Sequence, residues 1–118
     1  NRGMMGDHVL AIAEDSQGTL WFGTRAGGVR VFDGEGWITL TSRDSGLVGN
    51  TVVSIALDHA GILWFGTNGL GVSSYDGETW TTYDTSNSGL AHDTVDALVV
   101  DSQGTLWLGT QRGVSSFR

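Results

Sequence analysis

Cysteine, proline and lysine are all missing from these 118 residues. Without cysteine there is no disulfide scaffold, no thiolate nucleophile and no Cys-based zinc or iron–sulfur site. Positive charge is scarce: six arginines stand against thirteen acids, for a formal charge of −7. Nucleic acid, whose phosphates demand a basic face, is therefore not expected as a partner. Long apolar runs are missing as well. Nothing approaches the ~18 apolar residues of a membrane helix, and the N-terminus lacks the charged-then-apolar pattern of a secretory signal, so no membrane partner is expected. What the chain does have is glycine (19 residues) and tryptophan (5), within a hydrophobic fraction of 39% that is too high for disorder. The length suggests one domain, and composition alone names no activity.

Written against itself, the sequence repeats every 43 residues. Trp21, Trp64 and Trp107 keep that interval, as do Asp15, Asp58 and Asp101, and Gly23, Gly66 and Gly109. Met4–Gly46 aligns with Leu47–Gly89 at 20 of 43 positions without a gap. The third copy begins at Leu90, stays in register to Thr110, and loses one residue before Gly113.

Within each copy the apolar pattern has a period of two, and no segment reads as a helix. Val52–Leu57 splits into a small face (Val, Ser, Ala) and a large face (Val, Ile, Leu), which requires burial on both sides. An Asp-x-x-Gly turn follows, with Asp and Gly at its first and fourth positions. Leu-Trp-Phe/Leu-Gly-Thr is the second strand. Val29–Phe32, Val72–Tyr75 and Val114–Phe117 are the third, and Trp37–Leu40 and Trp80–Tyr83 the fourth. Four short antiparallel strands per repeat predict an all-β chain of β-propeller blades. Blade one spans 4–46, blade two 47–89 and blade three 90–118, the last without its outer strand.

The run Asn50–Asp58, followed by Gly61–Gly69 with Leu63-Trp64-Phe65-Gly66-Thr67, resembles the two-component regulator propeller repeat. So do Tyr75–Tyr83 and the linker Ser88-Gly89-Leu90. The resemblance covers nearly the whole chain. It implies blades of a sensor region, periplasmic or extracellular, that feeds a histidine kinase and binds a small or carbohydrate-derived ligand. No cofactor is expected.

Propellers close with roughly four to eight blades, so three cannot form a ring. Two apolar end faces would exceed the patch that a soluble monomer tolerates. The chain is therefore expected either to be a piece of a longer propeller or to pair with itself, a homodimer giving six blades.

Candidate ligand-binding residues fall in the loops at one end of the blades, here called the top, where propeller loops converge around the axis. Asp7, Asn50 and Asp93 precede the three inner strands, and His92 lies beside them. Arg25, Asn68 and Arg112 come from the loops between second and third strands. Together they suggest a polar mouth, with the arginines as anion forks. Turn chemistry is the first explanation for the Asp and Asn residues, because their side chains bond nearby backbone, but it does not call for arginine. Mid-strand Trp21, Trp64 and Trp107 read as core, and no top loop carries an aromatic platform for a sugar. The bottom turns hold eight acids, but their spacing matches no EF-hand loop, and no metal site is expected. No catalytic motif among the three histidines and no Gly-x-Ser-x-Gly elbow is present. The expectation is a non-catalytic ligand-binding or sensory module. A structural unit that self-assembles is the alternative, and a propeller lyase or hydrolase rests on fold analogy alone.

Overall fold

The structure, a computed structural model, describes residues 8–117. Eleven strands and no helix occur among them. The first sheet has order β1 (Val9–Glu14), β2 (Leu20–Thr24), β3 (Val29–Phe32) and β4 (Trp37–Leu40). The second repeats it with β5 (Val52–Leu57), β6 (Leu63–Thr67), β7 (Val72–Tyr75) and β8 (Trp80–Tyr83). The third has only three strands, β9 (Val95–Val100), β10 (Leu106–Thr110) and β11 (Gly113–Phe117). Every pairing is antiparallel between neighbours in sequence, so each sheet is a meander and the expected blades are present.

The Asp-x-x-Gly turn owes its repetition to one carboxylate doing three things. Asp15 Oδ1 accepts from the Gln17 and Thr19 amides at 2.9 and 3.0 Å, and Oδ2 accepts from Trp21 Nε1 at 2.9 Å. Asp58 holds Ala60, Ile62 and Trp64 in the same way, and Asp101 holds Gln103, Thr105 and Trp107. The turn thus fixes the indole of the following strand and satisfies its N–H at the edge of the core.

Blade packs on blade through these indoles. Trp21, Val29 and Val31 of blade one meet Leu63 and Phe65 of blade two, and Leu47 from the connecting loop seals the contact. Trp64 and Val72 of blade two meet Val95, Leu106 and Leu108 of blade three, sealed by Leu90. The glycines of the second strands lie at this contact. A Cβ on Gly66 would stand 2.6 Å from the Val95 carbonyl oxygen, and one on Gly23 2.8 Å from that of Val52. The neighbouring inner strand presses on the blade, and only glycine leaves room.

Trp107 departs from its repeat partners. Trp21 and Trp64 are buried, whereas Trp107 is 42% exposed. Its N–H bond to Asp101 is intact at 2.8 Å, but no described blade covers its face. Val99 and Val114 share that exposure, and on blade one Ile12 is exposed at 61%. Two apolar end faces are therefore present, as the count of blades requires.

Acid should loosen the turns. The bond from Trp107, then the Thr105 amide, holds the Asp101 carboxyl below the usual range. At Asp15 burial pushes upward, but the bonds from Trp21, Gln17 and Thr19 together outweigh it. A carboxylate depressed in the folded state contributes stability above its unfolded value, and that stability fades as pH falls through the folded value. Calorimetry is expected to give a steady melting temperature near neutrality and a decline below about pH 4. Asp15→Asn should lower the neutral melting temperature and shrink the acid decline, and an unchanged pH profile would contradict this role for the turn.

Candidate functional site

Each top loop between second and third strands is a short closed turn. Thr24 Oγ1 donates to the Gly28 carbonyl at 2.9 Å, and Thr67 and Thr110 repeat this with Gly71 and Gly113 at 2.7 Å. These loops are also tied to the inner strands. The Arg25 amide donates to the His8 carbonyl, Asn68 to Thr51, and Gln111 to Thr94, at 2.9, 3.2 and 3.3 Å. Blades are then laced to one another at the same level. Gly28 N donates to the Asn50 carbonyl at 2.9 Å and Gly71 N to that of Asp93 at 2.7 Å. Thr51 Oγ1 donates to the Arg25 carbonyl, and Thr94 Oγ1 meets Asn68 Oδ1 at 3.4 Å.

The candidate residues fall into two groups within this frame. Asn50 Oδ1 accepts from the Ser42 amide at 2.8 Å, and Asp93 Oδ1 accepts from Thr85 N at 2.8 Å. Both side chains close the loop between blades. His92 Nδ1 accepts from the Thr94 amide at 3.0 Å. These three are half-buried and engaged with backbone. Arg25, Asn68 and Arg112 are exposed. The backbone contacts bring Arg25 beside Asn50 and Asn68 beside His92 and Asp93, while Arg112 lies on the third loop. Asp7 lies outside the described residues.

Two residues at the mouth escaped the sequence reading. The strand register aligns Gln111, not Arg112, with Arg25 and Asn68, because all three follow the threonine that ends the second strand. Gln111 Nε2 donates to Asp96 Oδ2 at 2.7 Å. Asp96 is the unpaired residue of a bulge between Val95 and Ala97 on the inner strand, and Leu10 and Val53 occupy equivalent bulges. Bulges re-aim side chains where ladders end. No group of three or more His, Asp or Glu able to hold a metal ion occurs among the described residues.

The family model for the two component regulator propeller matches residues 3–26, 46–69 and 89–112, once per blade and over more than half of the chain. The chain belongs to the two-component regulator propeller family. Among solved structures, the extracellular domain of the hybrid two component system BT3049 from B. thetaiotaomicron superposes with a TM-score of 0.84 and 31% identity, over 94% of this chain and 16% of that one. The extracellular domain of BT4673 from the same organism gives 0.75 and 28%, over 95% of this chain and 15% of that one. Virginiamycin B lyase from Staphylococcus aureus shares the fold alone, with a TM-score of 0.67 at 13% identity, over 100% of this chain and 43% of that one. No curated protein matches. The chain thus spans about a sixth of the extracellular domains it resembles. In this regulator-propeller segment, the matched stretches run from the inner strand to the top loop, where the three blades are most alike.

Proposed function

We propose that the chain is a non-catalytic sensory sector of a propeller outside the cytoplasm, and that its top loops contact a small ligand at the axial mouth. One observation carries this reading. Arg25 and Arg112 stand exposed on loops whose backbones are tied down, and neither guanidinium is bonded to another described residue. A planar fork on a rigid loop suits a carboxylate, and Asn68 on the corresponding loop of blade two suits a hydroxyl. A carbohydrate-derived ligand bearing a carboxylate combines the two. Family membership and likeness to extracellular domains of two-component systems support both the sensory role and the location. The side chains of Asn50 and Asp93 close the neighbouring loops between blades, and the Asn50 carbonyl anchors the Arg25 loop through Gly28 N.

The test is titration of isotope-labelled protein with oligogalacturonates while amide shifts are followed. Shifts should centre on Arg25, Asn68 and Arg112, and the Arg25→Ala/Arg112→Ala pair should weaken binding by about tenfold or more. Shifts confined to the bottom turns, or unchanged affinity in the double variant, would remove the site.

The apolar end faces favour a second reading, compatible with the first. Ile12 on one end, and Val99, Val114 and Trp107 on the other, are the residue types that pack blade on blade inside the chain. Two copies joined head to tail at both ends would make six blades, within the range that propellers use. The chain then acts as a self-assembling homodimer.

A further inference from the structure

The inner strands β1, β5 and β9 stand side by side, and each has no partner strand on its free edge among the described residues. They form the wall nearest the axis around which such blades are arranged. Near the top of each strand the ladder skips one residue: Leu10, Val53 and Asp96. Val52 and Val95, which precede the second and third of these, are fully buried between blades. The skipped residue is the one left open. Val53 stays half-exposed although an inner strand flanks β5 on either side, so the openness belongs to the bulge and not to the end of the row of blades.

The chemistry at this position differs by blade. Blades one and two place an apolar side chain there, and blade three places a carboxylate. The facing loop changes with it. Arg25, Asn68 and Gln111 share one repeat position, just past the end of the second strand. Gln111 Nε2 donates to Asp96 Oδ2 at 2.7 Å, a charge-assisted bond across fifteen residues. The loop that carries Gln111 is itself fixed. Its amide donates to the Thr94 carbonyl at 3.3 Å, and Arg112 N donates to Thr110 Oγ1 at 3.1 Å. Asp93 and Asn50 use their acceptors on loop amides, whereas Asp96 holds no backbone amide among the described residues. Asp96 Oδ1 and Gln111 Oε1 therefore remain as two exposed acceptors with no donor among the described residues.

We propose that Asp96 and Gln111 form a hydroxyl-reading subsite on the axial wall of the mouth. The inference rests on the top-loop reading above and supplies the other half of its specificity. One hydroxyl of the carbohydrate-derived ligand donates to Asp96 Oδ1, and a neighbouring hydroxyl donates to Gln111 Oε1. Two acceptors side by side select donors, and a ligand carboxylate placed there would face the charge of Asp96. The pair thus fixes which way round the ligand sits, with its hydroxyl edge on the inner strand of blade three and its carboxylate on the arginines. Leu10 and Val53 occupy the same level of the wall and suit the C–H face of a sugar ring.

The test uses the intact chain, isotope-labelled for amide shifts, and two probes. One is trigalacturonate, and the other is its methyl ester, which keeps the hydroxyls and loses the charge. Asp96→Val gives blade three the residue that the same bulge carries in blade two, so it should melt close to the parent. It should nevertheless weaken both probes by about tenfold or more, as the loss of a hydrogen bond to a charged group does. Asp96→Asn, which keeps an acceptor, should recover part of that loss for both. The Arg25→Ala/Arg112→Ala pair should weaken the free acid alone. Failure of the free acid to bind the parent would remove the top-loop reading and this subsite with it. Binding that depends on the arginines but is unchanged in Asp96→Val would overturn the subsite alone. So would tighter binding of the free acid by Asp96→Val, because the carboxylate would then act by repulsion.

Discussion

Replacing Trp64 with alanine is expected to lower the free energy of unfolding by about 3–5 kcal/mol. The side chain is 9% exposed and packs between blades two and three. Its ring lies 5.6 Å from Tyr83 and 5.9 Å from Phe117. The change removes that packing from both blades, and it also takes away the Nε1 donor on which Asp58 Oδ2 depends. Trp107→Ala deletes the same atoms from the same repeat position, but 42% of that side chain already faces solvent. It should cost about 1 kcal/mol or less in the isolated chain. Urea denaturation followed by circular dichroism gives both numbers. A loss below about 1 kcal/mol for Trp64 would place its indole outside the interface and break the blade register.

Gly66→Ala is expected to be the second large effect, at about 1–3 kcal/mol or more. The obstacle is backbone, the Val95 carbonyl at 2.6 Å, together with Ser54 Oγ, so a rotamer change alone does not relieve it. Ser54 Oγ itself donates to that carbonyl at 3.2 Å, and pushing the strands apart would strain this bond as well. Gly109 is the repeat partner of Gly66 on the open end face. A Cβ there approaches only Ala97, at 3.4 Å, and Gly109→Ala should leave the stability of a single chain nearly unchanged. Thermal melts of the two variants at one low protein concentration make the comparison. Equal losses would mean that glycine serves strand geometry at this position and not the approach of the next blade.

Most of the fold was legible because the repeat supplies three readings of each feature. A single Asp-x-x-Gly or a single Leu-Trp-Phe-Gly-Thr is a weak signal, but three in register fix the turn, the strand and the face that points to the neighbouring blade. The missing outer strand of blade three could be read in the same way, from the absence of a partner for Trp37 and Trp80. The inner-strand bulges were not legible. Alternation assigns Val53 to the large face of β5, but the ladder skips it between Val52 and Ser54. At the candidate site, residue type indicated polarity but not employment. Asn50, Asp93 and His92 are polar residues beside the mouth, and only coordinates reveal that backbone amides occupy their acceptor atoms. Arginine has no such role in turn chemistry, so Arg25 and Arg112 remained the informative letters.

The central claim is that these 118 residues are three sectors of a ring whose end faces need further blades. Native mass spectrometry of the chain at neutral pH, across a range of concentrations, tests it most directly. The account predicts a defined species at twice 12.5 kDa. Gly109→Ala should shift that species toward the single chain, because the added Cβ stands where the next inner strand must approach. A monodisperse single chain of 12.5 kDa that unfolds cooperatively at every concentration would contradict it.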